Sequence, residues 1–338
     1  MFKKIFNYIK NVVKEEYKFI IFLIFSYFFL SFPLNYYITV GGGTSDVSSR
    51  IKVSDSYKSD GSFNISYVTQ LNGTILTYGL SYLIPTWERE DANLYKYDES
   101  ESFEDISFRG DLDLKTANGL ATYWAYSLAG KKVEEISSKL YVITTFKEYD
   151  TSLEVQDEIL SIDSKHFDTV LEYKKYMQTK KAGDLLDVKI IRDKKEKNIK
   201  AKLHEDGNNL VLGVALQYVK EYDVSPKVSI NFKSSESGPS GGLITTLEIY
   251  NQLTKKDLTK GLKIAGTGTI EEDGTIGQIG GVEHKVLGAH HDKADIFLVP
   301  SGENYQTAKK YVKEKKLKIK LIEVKTIKDA ISKLEALN

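Results

Sequence analysis

The stretch SGPSGGLITTLEIYNQL (Ser237–Leu253) joins a glycine-rich turn to a segment whose apolar residues recur at helical spacing. The sequence therefore predicts a helix that begins near Gly241. Directly before the turn, VSINF (Val228–Phe232) alternates between apolar and polar residues, which predicts a strand. Ser240 is thus expected in a tight turn between a strand and a helix.

Downstream of this turn, predicted strands and helices alternate. The predicted strands are 262–270, 275–281, 295–300 and 317–324, and the predicted helices are 282–291, 304–313 and 327–337. This order favours an α/β or α+β domain, which we place at residues 206–338.

The environment of Ser240 suits a nucleophile. Gly238 and Gly241 permit unusual backbone angles and close approach of a substrate. The predicted helix would direct free N–H groups and its positive dipole end at whatever lies beside Ser240, which is how an oxyanion is stabilised. The alternative is an ordinary N-cap serine in a Gly/Pro turn.

A nucleophilic serine needs a proton acceptor. No histidine has an obvious place beside Ser240, although a Ser–His–Asp triad stays open at this point; the histidines are His166, His204, His284, His290 and His291. A lysine can serve if an apolar pocket keeps it neutral. Lys285 follows GQIGGV and has apolar neighbours, whereas the alternative is a solvated surface lysine.

Four ordered blocks of the sequence resemble the proteolytic domain of Lon-type serine peptidases. The blocks are SGPSGGL (Ser237–Leu243), DLTKGLKIAGTGTI (Asp257–Ile270), DGTIGQIGGVEHKVLGA (Asp273–Ala289) and DIFLVP (Asp295–Pro300). The resemblance implies Ser240 as nucleophile, Lys285 as general base and Thr267 as the residue that orients the lysine. It also implies an oxyanion site formed by the backbone near Gly238 and Gly241.

The chain departs from the Lon-type pattern at two positions in the first block. Ser237 replaces a common acidic residue, and Gly241 replaces the alanine of GPSAG. Neither change removes a catalytic group.

Residues 134–205 resemble a PDZ domain of the kind found in bacterial proteases. The pattern is a strand, then L-x-x-x-D-x-I-x-x-I-D, a helix and a second strand that ends in arginine. The resemblance implies that a peptide adds as a strand beside Leu140, Tyr141 and Val142. Gln156 replaces the usual glycine before Asp157, and the alternative is a PDZ domain that serves only as a spacer or gate.

The N-terminal 45 residues predict a membrane anchor. Residues 1–18 carry a local charge of +3, and residues 19–45 contain no charged residue. An apolar run of about 20 residues is long enough to span a bilayer, so we predict a transmembrane helix at Phe19–Val40 that contacts lipid. A cleaved signal peptide and a buried core helix fit the aromatic-rich run less well. The lysines predict a cytoplasmic tail at residues 1–18 and an extracytoplasmic catalytic domain.

Residues 41–133 are expected to form a separate β-rich region. The alternating segment SFNISYVT (Ser62–Thr69), the turn signal Asn72-Gly73 and the following TILTYGL predict a hairpin. Residues 113–128 predict a helix that ends before Gly130.

The predicted fold class is a single N-terminal transmembrane helix, an extracytoplasmic α+β region with a PDZ-like domain, and a C-terminal Lon-type proteolytic α/β domain. This combination resembles the YlbL/SepM-like membrane peptidases. The resemblance implies an endopeptidase that cleaves peptides or flexible protein segments. No G-x-x-x-x-G-K-[ST] sequence occurs, so no ATP is expected.

The composition limits the other partners and cofactors. The 47 basic and 47 acidic residues balance, so no nucleic-acid partner is expected. Without cysteine there is no thiolate nucleophile, and neither a metal nor another cofactor is expected. Homo-oligomerisation stays open. The alternative function is a non-catalytic, membrane-anchored PDZ scaffold that binds peptides and carries a degenerate protease domain.

Overall fold

The computed structural model describes residues 2–232 and 238–337. Ser237, the first residue of the predicted nucleophile block, lies outside the described residues. The chain divides into two compact units, one formed by Met1–Gly41 with Val68–Tyr95 and the other by Gly42–Tyr67 with Lys96–Asn338.

The described residues form eight α-helices and seventeen strands. The helices are α1 (Phe2–Leu30), α2 (Ile75–Leu80), α3 (Phe103–Leu128), α4 (Val170–Met177), α5 (Gly242–Leu253), α6 (Val282–His291), α7 (Glu303–Lys315) and α8 (Ile327–Glu335). The first strands are β1 (Pro33–Asp46), β2 (Ile51–Val53), β3 (Ser62–Thr74), β4 (Glu88–Asp91), β5 (Lys132–Thr145), β6 (Glu158–Ile162), β7 (Leu185–Arg192) and β8 (Lys195–Lys202). The remaining strands are β9 (His204–Asp206), β10 (Asn209–Val211), β11 (Val214–Ser225), β12 (Val228–Ile230), β13 (Lys263–Gly266), β14 (Thr269–Ile270), β15 (Ile276–Gly277), β16 (Ile296–Pro300) and β17 (Lys320–Val324).

The transmembrane helix predicted at Phe19–Val40 is not present in the first unit. The uncharged run is divided, because α1 ends at Leu30 and β1 begins at Pro33. The helical part, Phe19–Leu30, is about 18 Å long at 1.5 Å per residue, whereas a bilayer core is about 30 Å thick. In the part of the chain that the structure describes, no helix combines the length and apolar character needed to cross a membrane.

The predicted localisation, a single-pass membrane protein with an extracytoplasmic catalytic domain, depended on this helix and is therefore also wrong. The lipid contact through Phe19–Val40 stays a prediction. The sequence pattern misled because an uncharged run gives its length but not the point at which helix changes to strand.

The first unit also differs from the predicted hairpin. The segment after Asn72-Gly73 is the helix α2 rather than a returning strand. Thr74 caps this helix, since its hydroxyl accepts a hydrogen bond from the Thr77 N–H, and the Thr77 side chain in turn accepts from the Thr74 N–H. The strand β1 pairs with β4 in antiparallel fashion, from Tyr36 opposite Asp91 to Thr39 opposite Glu88.

The second unit contains a parallel sheet with the strand order β17-β16-β13-β3. The central strand β13 pairs with β16 on one side and with residues 62–65 of β3 on the other. Both faces of the sheet are covered, which explains why DIFLVP at 295–300 is almost continuously apolar.

Alternate side chains of this sheet enter two different cores. Ile264 of β13 packs with α5, α8 and α3, whereas Ala265 packs with α6 and α7. Phe297 and Leu298 of β16 divide in the same way. The result is a three-layer α/β arrangement, as expected for the C-terminal region.

Residues ahead of the PDZ-like region take part in this α/β layer. The strand β3 lies beside β13, and α3 places the fully buried Ala121, Ala125 and Tyr126 in the same core as α5. The structure therefore does not set residues 41–133 apart as a region of their own.

The PDZ-like region forms a five-stranded antiparallel sheet with the order β11-β5-β6-β7-β8 and the helix α4. The Arg192 guanidinium donates to both carboxylate oxygens of the fully buried Asp157, at 2.7 and 2.6 Å. This ion pair explains why both residues occur in the pattern. Gln156 adopts φ +78°, a conformation that favours the glycine expected there.

Candidate active site

The turn that carries Ser240 is a short 3₁₀ segment, Pro239–Gly241, which leads directly into α5. Its backbone is fixed by the loop after β13. The Ser240 carbonyl accepts a hydrogen bond from the Gly268 N–H at 2.8 Å, and the Leu243 N–H donates to the Gly268 carbonyl at 3.0 Å. The turn is thus held from two sides, and Ser240 itself is half-buried.

Lys285 reaches Ser240 from the first turns of α6. Its Nζ lies 3.1 Å from the Ser240 Oγ and 3.2 Å from the Thr267 Oγ1, and it donates to both. The Thr267 hydroxyl donates to the Ser240 carbonyl at 3.2 Å. The structure therefore brings together three residues that lie on three different elements of the chain.

The pocket around Lys285 favours the neutral amine. The residue is 5% exposed, and burial lowers the pKa of Lys285 from its usual value of 10.5 to about 8. Desolvation penalises the charged form of the side chain. A lysine with such a pKa can accept a proton near neutral pH.

The two glycines predicted for the oxyanion site border the turn. Gly238 has φ +127°, in the region that favours glycine, and precedes the 3₁₀ segment. Gly241 is the N-cap of α5 and has helical angles. Because the first N–H groups of a helical segment have no intrahelical acceptor, the Ser240 N–H is the kind of donor that can stabilise an oxyanion.

The strand β3 also borders the site, at a position that the sequence did not predict. A Cβ atom at Gly241 would lie 2.9 Å from the Cδ1 of Ile65, so Ile65 borders the nucleophile turn. Residue 65 is far from residue 241 in sequence, and no motif marks it. Only the pairing of β3 with β13 reveals this neighbour.

The predicted peptide site at Leu140, Tyr141 and Val142 lies in the middle of β5. There β5 pairs with β11 on one side, and with β6 and the Asp157 carbonyl on the other. Both edges of β5 are therefore occupied at these residues. Peptide addition there would require one neighbour to leave.

Two of the histidines have other partners. His166 lies 3.1 Å from the Leu160 carbonyl, and His204 lies 2.9 Å from the Asp150 carbonyl, so both belong to the PDZ-like region. Within residues 2–232 and 238–337, no group of three or more acidic or histidine side chains is arranged to hold a metal ion.

Comparison with protein families matches two regions of the chain. Residues 130–203 match the PDZ domain, and residues 224–336 match the Lon protease (S16) C-terminal proteolytic domain. The C-terminal α/β layer therefore includes the proteolytic domain of a serine peptidase. With the PDZ domain ahead of it, the chain has a PDZ–Lon architecture.

Individual relatives are similar to parts of the chain. The Lon protease of Aster yellows witches'-broom phytoplasma (strain AYWB) is 29% identical over 99 residues, which are 29% of this chain and 12% of that protein. The crystal structure of the PDZ domain of an SdrC-like protein from Listeria monocytogenes is 24% identical and covers 25% of this chain and 92% of its own, with a TM-score of 0.23. The corresponding domain from Listeria innocua is 26% identical and covers 23% and 92%, with a TM-score of 0.21.

Proposed function

We propose that this protein is an ATP-independent serine endopeptidase that uses a Ser240–Lys285 dyad. The observation that carries the proposal is the 3.1 Å approach of a buried lysine amine to the Ser240 hydroxyl. The lowered pKa of Lys285 and the match to the Lon-type proteolytic domain support it.

In the proposed mechanism, neutral Lys285 takes the proton of the Ser240 hydroxyl as the oxygen attacks a peptide carbonyl. Backbone N–H groups near Gly238 and at Ser240–Gly241 stabilise the oxyanion. Protonated Lys285 then gives its proton to the leaving amine, and water hydrolyses the acyl-enzyme. Thr267 keeps the amine directed at Ser240 through its own hydrogen bond to the lysine.

The proposed substrates are peptides and flexible protein segments. A folded substrate would require an ATP-driven unfolding module, and the sequence contains no phosphate-binding G-x-x-x-x-G-K-[ST] motif. Segments that reach the site unaided are therefore the expected substrates.

The alternative, a non-catalytic scaffold that binds peptides through the PDZ domain, has less support. It needs a free edge at Leu140–Val142, where both edges of β5 are paired. It also gives no reason for a lysine to be buried against a serine hydroxyl.

The experiment is cleavage of an unstructured, internally quenched peptide library by the full chain and by two variants. Ser240→Ala removes the nucleophile and Lys285→Ala removes the base, so both should abolish turnover. Equal cleavage by wild type and Ser240→Ala would refute the assignment.

Two exposed positions provide matched controls. Ser229→Ala changes a serine on β12, and Lys310→Met changes a lysine on α7; both side chains are exposed. Both controls should retain wild-type turnover, and added ATP should leave it unchanged.

A further inference from the structure

The PDZ match at residues 130–203 already contains a sheet and its helix. It includes β5, β6, α4, β7 and β8, and β5 would be an edge strand if β11 were absent. PDZ domains bind peptides by adding them as a strand to such an edge. The strand β11 begins after residue 203, outside the PDZ match.

The strand β11 occupies this edge along its whole length. It pairs with β5 in antiparallel fashion from Val214 opposite Thr145 to Ser225 opposite Lys132. The paired residues include those of β5 that were predicted to bind a peptide, since Tyr218 lies opposite Leu140 and Leu216 lies opposite Val142.

The side chains of β11 alternate between two partners. Val214, Leu216 and Tyr218 pack against the PDZ core, which also includes Tyr173 of α4. A cavity of about 360 Å³ remains between Tyr218, Lys220 and the N-terminal part of α4. The strand thus lies between β5 and α4, where an added peptide would be held.

The opposite face of β11 is covered by α3. Ala215 and Val219 pack in a cluster with Leu112 of α3. The Gln217 side chain donates to Asp113 and to Thr116 of the same helix, at 3.1 and 3.2 Å. The strand is therefore held on one edge and on both faces.

We propose that β11 is a built-in ligand that permanently fills the peptide-accepting edge of the PDZ domain. Substrates consequently reach Ser240 without adding to β5, and the domain holds the segment that leads into the peptidase domain. The match to that domain begins at residue 224, within β11.

The first test locks β11 onto β5 in the full chain. The chain contains no cysteine, so Ser138→Cys/Lys220→Cys, at two directly opposed positions, introduces one defined pair. This pair should form a disulfide on mild oxidation. Ser138→Cys/Glu221→Cys is the matched control and should not form one, because residue 221 points to the other face.

The oxidised pair should have the same peptidase activity before and after reduction. Activity that appears only after reduction would show that β11 must leave β5, and would overturn the proposal. Failure of the Ser240→Ala experiment would refute the proposed function but leave the disulfide and binding tests of β11 intact.

The second test uses a labelled peptide with the β11 sequence, VALQYVKEYDVS, in a fluorescence-anisotropy titration. The wild-type chain should not bind it. Leu216→Asp/Tyr218→Asp, which weakens the packing of β11, should bind it and release it to unlabelled peptide. Saturable binding of this peptide to the wild-type chain would overturn the proposal if the disulfide between positions 138 and 220 abolished it. The proposal would also be overturned if a double variant that still unfolds cooperatively did not bind the peptide.

Discussion

At the scale of single residues, the burial of Lys285 affects both its proton acceptance and the stability of the fold. Burial lowers the pKa of its amine to about 8, so that a substantial fraction is neutral near pH 8 while the amine is still basic enough to accept a proton. The same burial penalises the charged form and therefore costs stability at lower pH. We therefore expect function and folding both to respond to pH through this side chain.

Peptidase activity should rise with pH through an apparent pKa of about 8, because only neutral Lys285 can take the Ser240 proton. The measurement is kcat/KM against pH for a peptide without ionisable groups near the cleavage site. An apparent pKa of about 6.5 would instead indicate a histidine base. Lys310→Met should leave the profile unchanged.

Lys285→Met should abolish activity and stabilise the fold at pH 7. The folded pKa of about 8 lies below the usual 10.5, so the penalty is fully present below pH 8 and is relieved as the pH rises toward 10.5. This difference in pKa corresponds to at most about 3 kcal/mol of unfolding free energy. Denaturant unfolding at pH 7 measures the gain, and a less stable variant would contradict the argument.

Thr267→Val should lower kcat while Thr267→Ser largely retains it. The valine removes the hydroxyl that contacts Lys285 and the Ser240 carbonyl. Loss of about 1–2 kcal/mol of hydrogen bonding corresponds to about 5–30-fold in rate. The pH profile of kcat distinguishes a positioning role from a general loss of structure. Only the loss of a residue that positions Lys285 shifts the apparent pKa of the profile.

At the scale of elements, two adjacent glycines at the start of α5 have different surroundings. A Cβ at Gly241 would meet only the flexible end of Ile65, whereas at Gly242 it would lie 2.7 Å from the Ile270 Cγ2 and 3.0 Å from the Ile270 N. Gly241→Ala should therefore be tolerated and gain up to about 0.5 kcal/mol. Gly242→Ala should cost about 1–3 kcal/mol.

Thermal unfolding of these two variants checks the comparison. Equal stabilities would mean that Ile270 moves as readily as the end of the Ile65 side chain. Because Gly241 stands where the Lon-type pattern has alanine, Gly241→Ala should also keep peptidase activity.

Local patterns predicted some elements well and others poorly. The periodicity of residues 243–253 predicted α5, and the Gly130 signal marked the end of α3, where Gly130 has φ +64°. The turn signal Asn72-Gly73 failed because β3 continues to Thr74, whose side chain caps α2. Helix capping and turn formation use similar residues, so sequence alone did not separate them.

For the whole molecule, the α/β layer is assembled from distant parts of the chain. The strand β3 pairs with β13, and α3 packs on α5, although the PDZ domain separates them in sequence. A fragment of residues 206–338 should therefore lack a cooperative unfolding transition and have no peptidase activity, because β13 loses a neighbour and the core loses α3.

Residues 33–338, which retain β1 and β3, provide the control and should unfold cooperatively. Circular dichroism against temperature measures both proteins. A folded, active 206–338 fragment would show that β3 and α3 are dispensable.

The sequence by itself determined the candidate site residues of this protein. The glycine-rich turn predicted Ser240 as a nucleophile, and the resemblance of the four blocks to Lon-type peptidases implied Lys285 and Thr267, because these signals depend on residue type and spacing. The tertiary structure decided which segments lie side by side. It placed β3 beside β13, filled the edge of β5 with β11 and ended α1 at Leu30, since strand pairing and the limits of an apolar run depend on packing between distant residues.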